Sequence, residues 1–197
     1  MSSRIDYDRV DYYMTPTSPW TYLGHARFAD ISARRGAAVA VKPVDFGVIF
    51  PQSGGLPLGK RAPQRQAYRL AELARWRDFL GVPLNLHPKY FPADPISAAC
   101  IICAAPQAVQ MAIAGDFLRA VWAEERNIAD IGVLTEIAAR HGVADAPGAI
   151  VRGKPIFESN TQEALARQVF GAPTYALPGE IFWGQDRLDF LERALGG

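Results

Sequence analysis

Thr17-Ser18-Pro19-Trp20-Thr21-Tyr22-Leu23-Gly24-His25 stands at the junction of two patterns. Before it, Val10, Tyr12 and Met14 alternate with Asp11, Tyr13 and Thr15, the period of a strand with one buried side, and Pro16 closes the run. After it, a helical pattern starts at Pro19 and continues to about Arg35. Ser18 falls at the N-cap and Pro19 at the first helical position, where proline's missing N–H costs nothing. Gly36 ends the helix, and Val39 to Val44 forms a second extended run. Two such strands in one sheet predict a right-handed parallel crossover.

Farther on, Phe46 to Ala62 is rich in Gly and Pro and reads as loop. A helix is predicted from Pro63 to about Leu80, stopped by Gly81-Val82-Pro83. Asp94-Pro95 opens another, which Pro106 must end or kink. Two more run from about Ala108 to Arg126 and from the N-cap Asp130 to His141. No strand pattern interrupts these helices. Asn160-Thr161-Gln162-Glu163 has the form of a capping box and predicts a helix to Phe170 with Gly171 as its stop. Thr174–Leu177, a Pro178-Gly179 turn and Glu180–Trp183 make a hairpin, and a last helix spans Arg187 to Leu195.

Composition narrows the function. With 49% hydrophobic and 21% charged residues over 197 positions, the chain can bury a full core as a soluble protein. A net charge of +1 without a dense Lys/Arg run argues against nucleic-acid binding. The N-terminal Met-Ser-Ser-Arg-Ile-Asp-Tyr-Asp has no apolar leader region, and no apolar stretch is long enough for a bilayer, so no membrane role and a cytoplasmic location are expected. Cys100 and Cys103 form a C-x-x-C, but Ile101, Ile102 and four alanines surround them in the body of a helix. That is a core setting, in which burial raises a thiol pKa, so both are read as structural. The histidines His25, His87 and His141 have no metal-like spacing, and no metal site is expected.

Three pieces, in this order, carry a resemblance: Ser18-Pro19-Trp20-Thr21-Tyr22-Leu23, Gly171-Ala172-Pro173-Thr174, and Phe182-Trp183-Gly184-Gln185-Asp186-Arg187. From about Val10 to Leu195 the sequence resembles the 2-hydroxychromene-2-carboxylate isomerases, relatives of the kappa-class glutathione transferases in the DsbA-like branch of the thioredoxin superfamily. The resemblance implies an α/β thioredoxin-like fold, βαβ then ββα, with a large all-helical insertion. Residues 8–50 and 155–197 would form the thioredoxin-like domain and 60–150 the insertion. The strand-to-helix junction of that fold carries Cys-x-x-Cys. Here hydroxyls stand in its place, which implies a thiol brought in by glutathione.

The implied roles attach to few residues. Ser18, otherwise a plain N-cap, would donate a hydrogen bond to the glutathione thiolate rather than attack, since no base is placed to activate it. Pro173 would be cis, turning the backbone of Ala172 toward glutathione, with Thr174 completing the turn. Asp186 would receive the γ-glutamyl ammonium beside Gln185, where kappa-class enzymes usually carry serine; the alternative for both is a purely structural role at the start of the last helix. Arg65 would pair with the glycine carboxylate or remain a solvated charge, and Lys60 or Arg61 would meet a substrate carboxylate. Trp20 would wall an aromatic substrate pocket or sit in the core. Relatives often have an Asp where this chain has Thr15.

The implied activity is the glutathione-dependent interconversion of 2-hydroxychromene-2-carboxylate and trans-o-hydroxybenzylidenepyruvate by a homodimer acting on a small aromatic substrate. A kappa-like glutathione transferase or peroxidase, or a non-catalytic binding module, stays open as an alternative. A thiol-disulfide oxidoreductase is disfavoured because no cysteine sits near Ser18.

Overall fold

The structure, a computed structural model, describes residues 9–196. The N-terminal segment read for a leader, and the outer limits 8 and 197 of the expected thioredoxin-like domain, lie outside the described residues. β1 (Arg9–Met14), α1 (Pro19–Arg35) and β2 (Ala38–Pro43) form the expected crossover, with β1 and β2 parallel and Tyr12 opposite Val41. β3 (Thr174–Leu177) lies antiparallel to β1, and β4 (Glu180–Trp183) closes the hairpin beside it, giving the order β2-β1-β3-β4. Between β2 and β3 every regular element is helical: α2 (Phe46–Ser53), α3 (Pro63–Leu80), α4 (Ile96–Ala104), α5 (Gln107–Trp122), α6 (Ile131–Arg140) and α7 (Ala146–Ala166), with a 3-10 turn at Leu58–Lys60. After β4, a 3-10 turn at Gln185–Arg187 leads into α8 (Leu188–Ala194). Among the described residues no helix is long and apolar enough to cross a membrane.

The alternation in β1 is real, but both of its sides are covered. Val10, Tyr12 and Met14 join the main core with Phe28 and Phe117, where Tyr12 stacks on Tyr175 at 5.4 Å between ring centroids. Tyr13 faces a second core with Val44, Ile49, Val169 and Ala176. Helices pack against both faces of the sheet, so the second face is buried as well. Asp11, on that face, is held by Arg9, Lys42 and Arg167.

Two predicted segments differ from the structure. The Gly/Pro-rich stretch after β2 contains a helix, because the Asp45 carboxylate accepts the Gly47 N–H at 2.7 Å and Gly54 ends the turn at φ 73°. The capping box at Asn160 does not open a helix. α7 begins at Ala146, with Asp145 accepting the Gly148 N–H, and continues without a break through Pro155 and Asn160. Thr161 instead donates to the Phe157 carbonyl at 2.9 Å and accepts the Asp45 N–H at 3.0 Å, tying α7 to the start of α2. Glu163 turns to Lys42 and Tyr13 rather than back to Asn160. α7 ends at Ala166, and Gln168 rather than Gly171 takes the left-handed conformation, at φ 59°.

Candidate active site

The fold brings the three quoted pieces to one place. The loop after β1 delivers Ser18, the loop before β3 delivers Ala172, and the turn after β4 delivers Asp186. All three border a cavity of about 1230 Å³, larger than a single drug-sized ligand needs, whose other wall is α2, α3 and the segment around Phe91.

Ser18 caps α1, accepting the Thr21 N–H at 3.1 Å, so the helix-cap reading of this residue holds. Its own proton points to the Ala172 carbonyl at 3.4 Å, long for a hydroxyl donor, so the hydrogen is free to turn toward a better acceptor. Pro19 has no N–H, Thr21 N–H is used by the cap, and Tyr22 N–H bonds to the Ser18 carbonyl. That leaves Trp20 N–H as the open donor of the first turn, and no acidic residue lies there to oppose an anion. The Ala172–Pro173 bond is cis, and among the described residues Ala172 N–H has no hydrogen-bond partner. The site is therefore a small set of free donors at the positive end of a 17-residue helix.

Other expected residues fall differently. Thr174 is fully buried and donates to the Gly171 carbonyl at 2.7 Å, and neither it nor Pro173 borders the cavity. They shape the turn. Gln185 borders the cavity, yet its side-chain oxygen is taken by the Arg27 guanidinium, which also donates to the Gln185 carbonyl at 2.9 Å. Asp186 is exposed at the rim, paired with Arg187 at 2.7 Å. Trp20 is half-buried and serves both roles, packing on the core and lining the cavity. Arg61 and Arg65 line the wall, Arg61 donating to the Leu56 carbonyl at 2.8 Å. Lys60, one residue earlier in the 3-10 turn, does not line the cavity.

Several cavity residues escaped sequence reasoning. Arg69, Trp76 and Tyr68 come from α3, and Phe50 from the helix read as loop. Phe170 and Trp183 meet edge to face at the rim, their ring centroids 4.8 Å apart. Gly171 makes that pair possible, because a Cβ there would overlap the Trp183 indole. The four-residue spacing of Arg65 and Arg69 within the helix predicted from Pro63 was the available signal, since it marks one side of a helix, whereas Arg61 precedes the helix. Burial depresses the Arg69 guanidinium to about 10, and the neighbouring Arg61 charge adds to this.

Residues 9–196 match the family described as the DSBA-like thioredoxin domain. The chain belongs to this family. It is 28% identical over 191 residues to a 2-hydroxychromene-2-carboxylate isomerase of Sphingobium xenophagum, a match covering 94% of this chain and 97% of the relative. Among solved structures it is similar to a 2-hydroxychromene-2-carboxylate isomerase, with TM-score 0.84, 24% identity, and 95% and 94% of the two chains covered. It also matches the cytosolic disulfide reductase DsbM of Pseudomonas aeruginosa with GSH, with TM-score 0.65, 20% identity, and 94% and 93% covered. In this DSBA-like chain both cysteines are buried in α4 and neither borders the large cavity. Burial raises both thiols, Cys103 to about 12, where the adjacent Cys100 adds to the effect and a hydrogen bond from Asn160 opposes it.

Proposed function

We propose that this chain is a glutathione-dependent isomerase of the 2-hydroxychromene-2-carboxylate type. The observation that carries the reading is the donor set at the start of α1: Trp20 N–H and Ala172 N–H, unpartnered among the described residues, and Ser18 Oγ–H, held only by a long bond to the Ala172 carbonyl, with no protein thiol beside them. The residues present fit glutathione. Among the described residues the unpartnered Ala172 N–H, beside a carbonyl held only by the long Ser18 bond, suits an extended peptide laid alongside like an added strand. Asp186 would hold the ammonium and Arg65 the glycine carboxylate, both from the cavity wall. The names of the isomerase relatives support the reaction type.

Glutathione supplies a sulfur nucleophile that adds reversibly to a conjugated double bond, making it a single bond free to rotate. The chain's part is to keep that sulfur ionised and in place. The helix end contributes about 0.3–1 kcal/mol toward an anion. A hydrogen bond from Ser18 to a charged acceptor adds about 1.5–3 kcal/mol. At 1.36 kcal/mol per unit, the two together lower a bound thiol pKa by about one to three units. Trp20 and the aromatic residues of α2 and α3 give the substrate side apolar walls, while the cavity's volume leaves room for both reactants at once.

The test is the isomerisation of 2-hydroxychromene-2-carboxylate followed by absorbance with purified protein. Turnover is expected only when glutathione is added. Turnover at the same rate without glutathione, or none with it, would contradict the proposal.

A further inference from the structure

We propose that Arg69, supported by Arg61, is the receptor for the carboxylate of a planar aromatic acid, on the wall of the cavity built by α3. The inference rests on the isomerase reading and names the substrate group that this wall recognises.

Among the described residues Arg69 is a half-buried cation without a counter-ion. Among the described residues its neighbours are aromatic, with its guanidinium carbon 5.6 Å from the Phe91 ring centroid and 5.8 Å from that of Trp122. Those two rings lie 4.8 Å apart and hold the side chain in place. The charge that acts on it is another cation, Arg61, which borders the same cavity, and Arg61 in turn feels Arg65. Glu72, the one carboxylate of α3 that borders the cavity, is taken by Arg75.

Arg61 and Arg69, neither paired with a carboxylate among the described residues, repel one another, and partial burial makes that repulsion costlier. An arriving anion relieves both costs, and a guanidinium fork matches a carboxylate in two parallel hydrogen bonds. Phe50, Trp76 and Phe91 on the same wall supply flat apolar surface for the ring to which such a carboxylate is conjugated. A phosphate or a flexible peptide carboxylate would gain nothing from these rings.

The probe pair is trans-2-hydroxycinnamate and its neutral amide, titrated calorimetrically into the full chain with glutathione titrated in parallel. The acid is expected to bind at least tenfold more tightly than the amide. Arg69→Met should bring the acid down to the affinity of the amide, and Arg69→Lys should keep part of the difference. Both variants should bind glutathione like the parent. Equal binding of acid and amide by the unmodified chain would overturn the inference, with no variant needed. So would an Arg69→Met protein, folded by its thermal melt, that still prefers the acid. Loss of glutathione binding in the unmodified chain would contradict the isomerase reading, while the acid-to-amide ratio still decides the role of Arg69.

Discussion

Ser18 caps a helix and faces the cavity at once, and the two roles separate by substitution. Ser18→Ala removes the acceptor for Thr21 N–H and the donor toward a thiolate together. It is expected to cost about 1 kcal/mol of stability in urea unfolding. Isomerase turnover should fall about tenfold to a hundredfold, the equivalent of one hydrogen bond to a charged group. Ser18→Asp restores an acceptor that caps about as well as serine but has no proton to donate and opposes a thiolate, so stability should return while turnover stays low. Recovery of turnover with the cap alone would mean that the hydroxyl has no chemical part. At this scale the sequence was legible where one residue type serves one backbone need: the N-cap serine, Pro19 after it, the cis proline at position 173. It misled where a side chain finds a distant partner. Nothing near Gln185 in sequence announces that Arg27, 158 positions away, takes its side-chain oxygen.

Elements were legible where their ends carry local chemistry and illegible where tertiary contacts override it. α1 and α3 start at Pro and stop at left-handed Gly36 and Gly81, as written in the sequence. α7 passes through Pro155 and an apparent capping box because it packs along α4, where Gly153 meets the backbone of Cys100. Alanine at 153 would gain about 1 kcal/mol of helix propensity. Its methyl group would overlap the Cys100 carbonyl, which cannot swing aside, so Gly153→Ala is expected to destabilise by about 1–3 kcal/mol net. An unchanged or raised melting temperature would contradict this packing. His25 likewise ties α1 to its neighbours. Nε2–H donates to the Met111 carbonyl at 2.9 Å, leaving Nδ1 to accept the Tyr12 hydroxyl at 3.1 Å. Burial lowers its pKa below 6.5, and the Met111 bond only partly opposes that. The unfolded chain therefore takes up a proton that the fold resists, and stability should decline as pH drops below about 6.5. A second decline is expected below about 4.5. Burial would raise Asp11 and Glu163, but the Arg9 hydrogen bond and Lys42 hold the first down, and bonds from Lys42 and Tyr13 the second. Unfolding by urea at stepped pH values reads both declines, and a flat profile from pH 7 to 4 would contradict them.

Across the whole molecule, one cavity is assembled from segments near residues 18, 50, 61, 91, 172 and 186, which only the fold brings together. The motif pieces gave its end at the start of α1, because they are tied to backbone geometry at strand ends. Its α3 wall stayed hidden, since exposed and cavity-facing arginines look alike in a single sequence. The two cysteines stand apart from it. Native protein should react with a thiol reagent far more slowly than unfolded protein, which should show both Cys100 and Cys103, and rapid native labelling would place a thiol at the surface. Their raised pKa values also leave a quiet background for watching a bound thiol by its ultraviolet thiolate absorbance. A pH titration of that absorbance with glutathione bound is therefore the most direct measurement. The sulfur is expected to ionise about one to three units below the ordinary thiol value of about 8.5, and to move back up in Ser18→Ala. Ionisation at the ordinary value in both proteins would contradict a thiolate held at the start of α1.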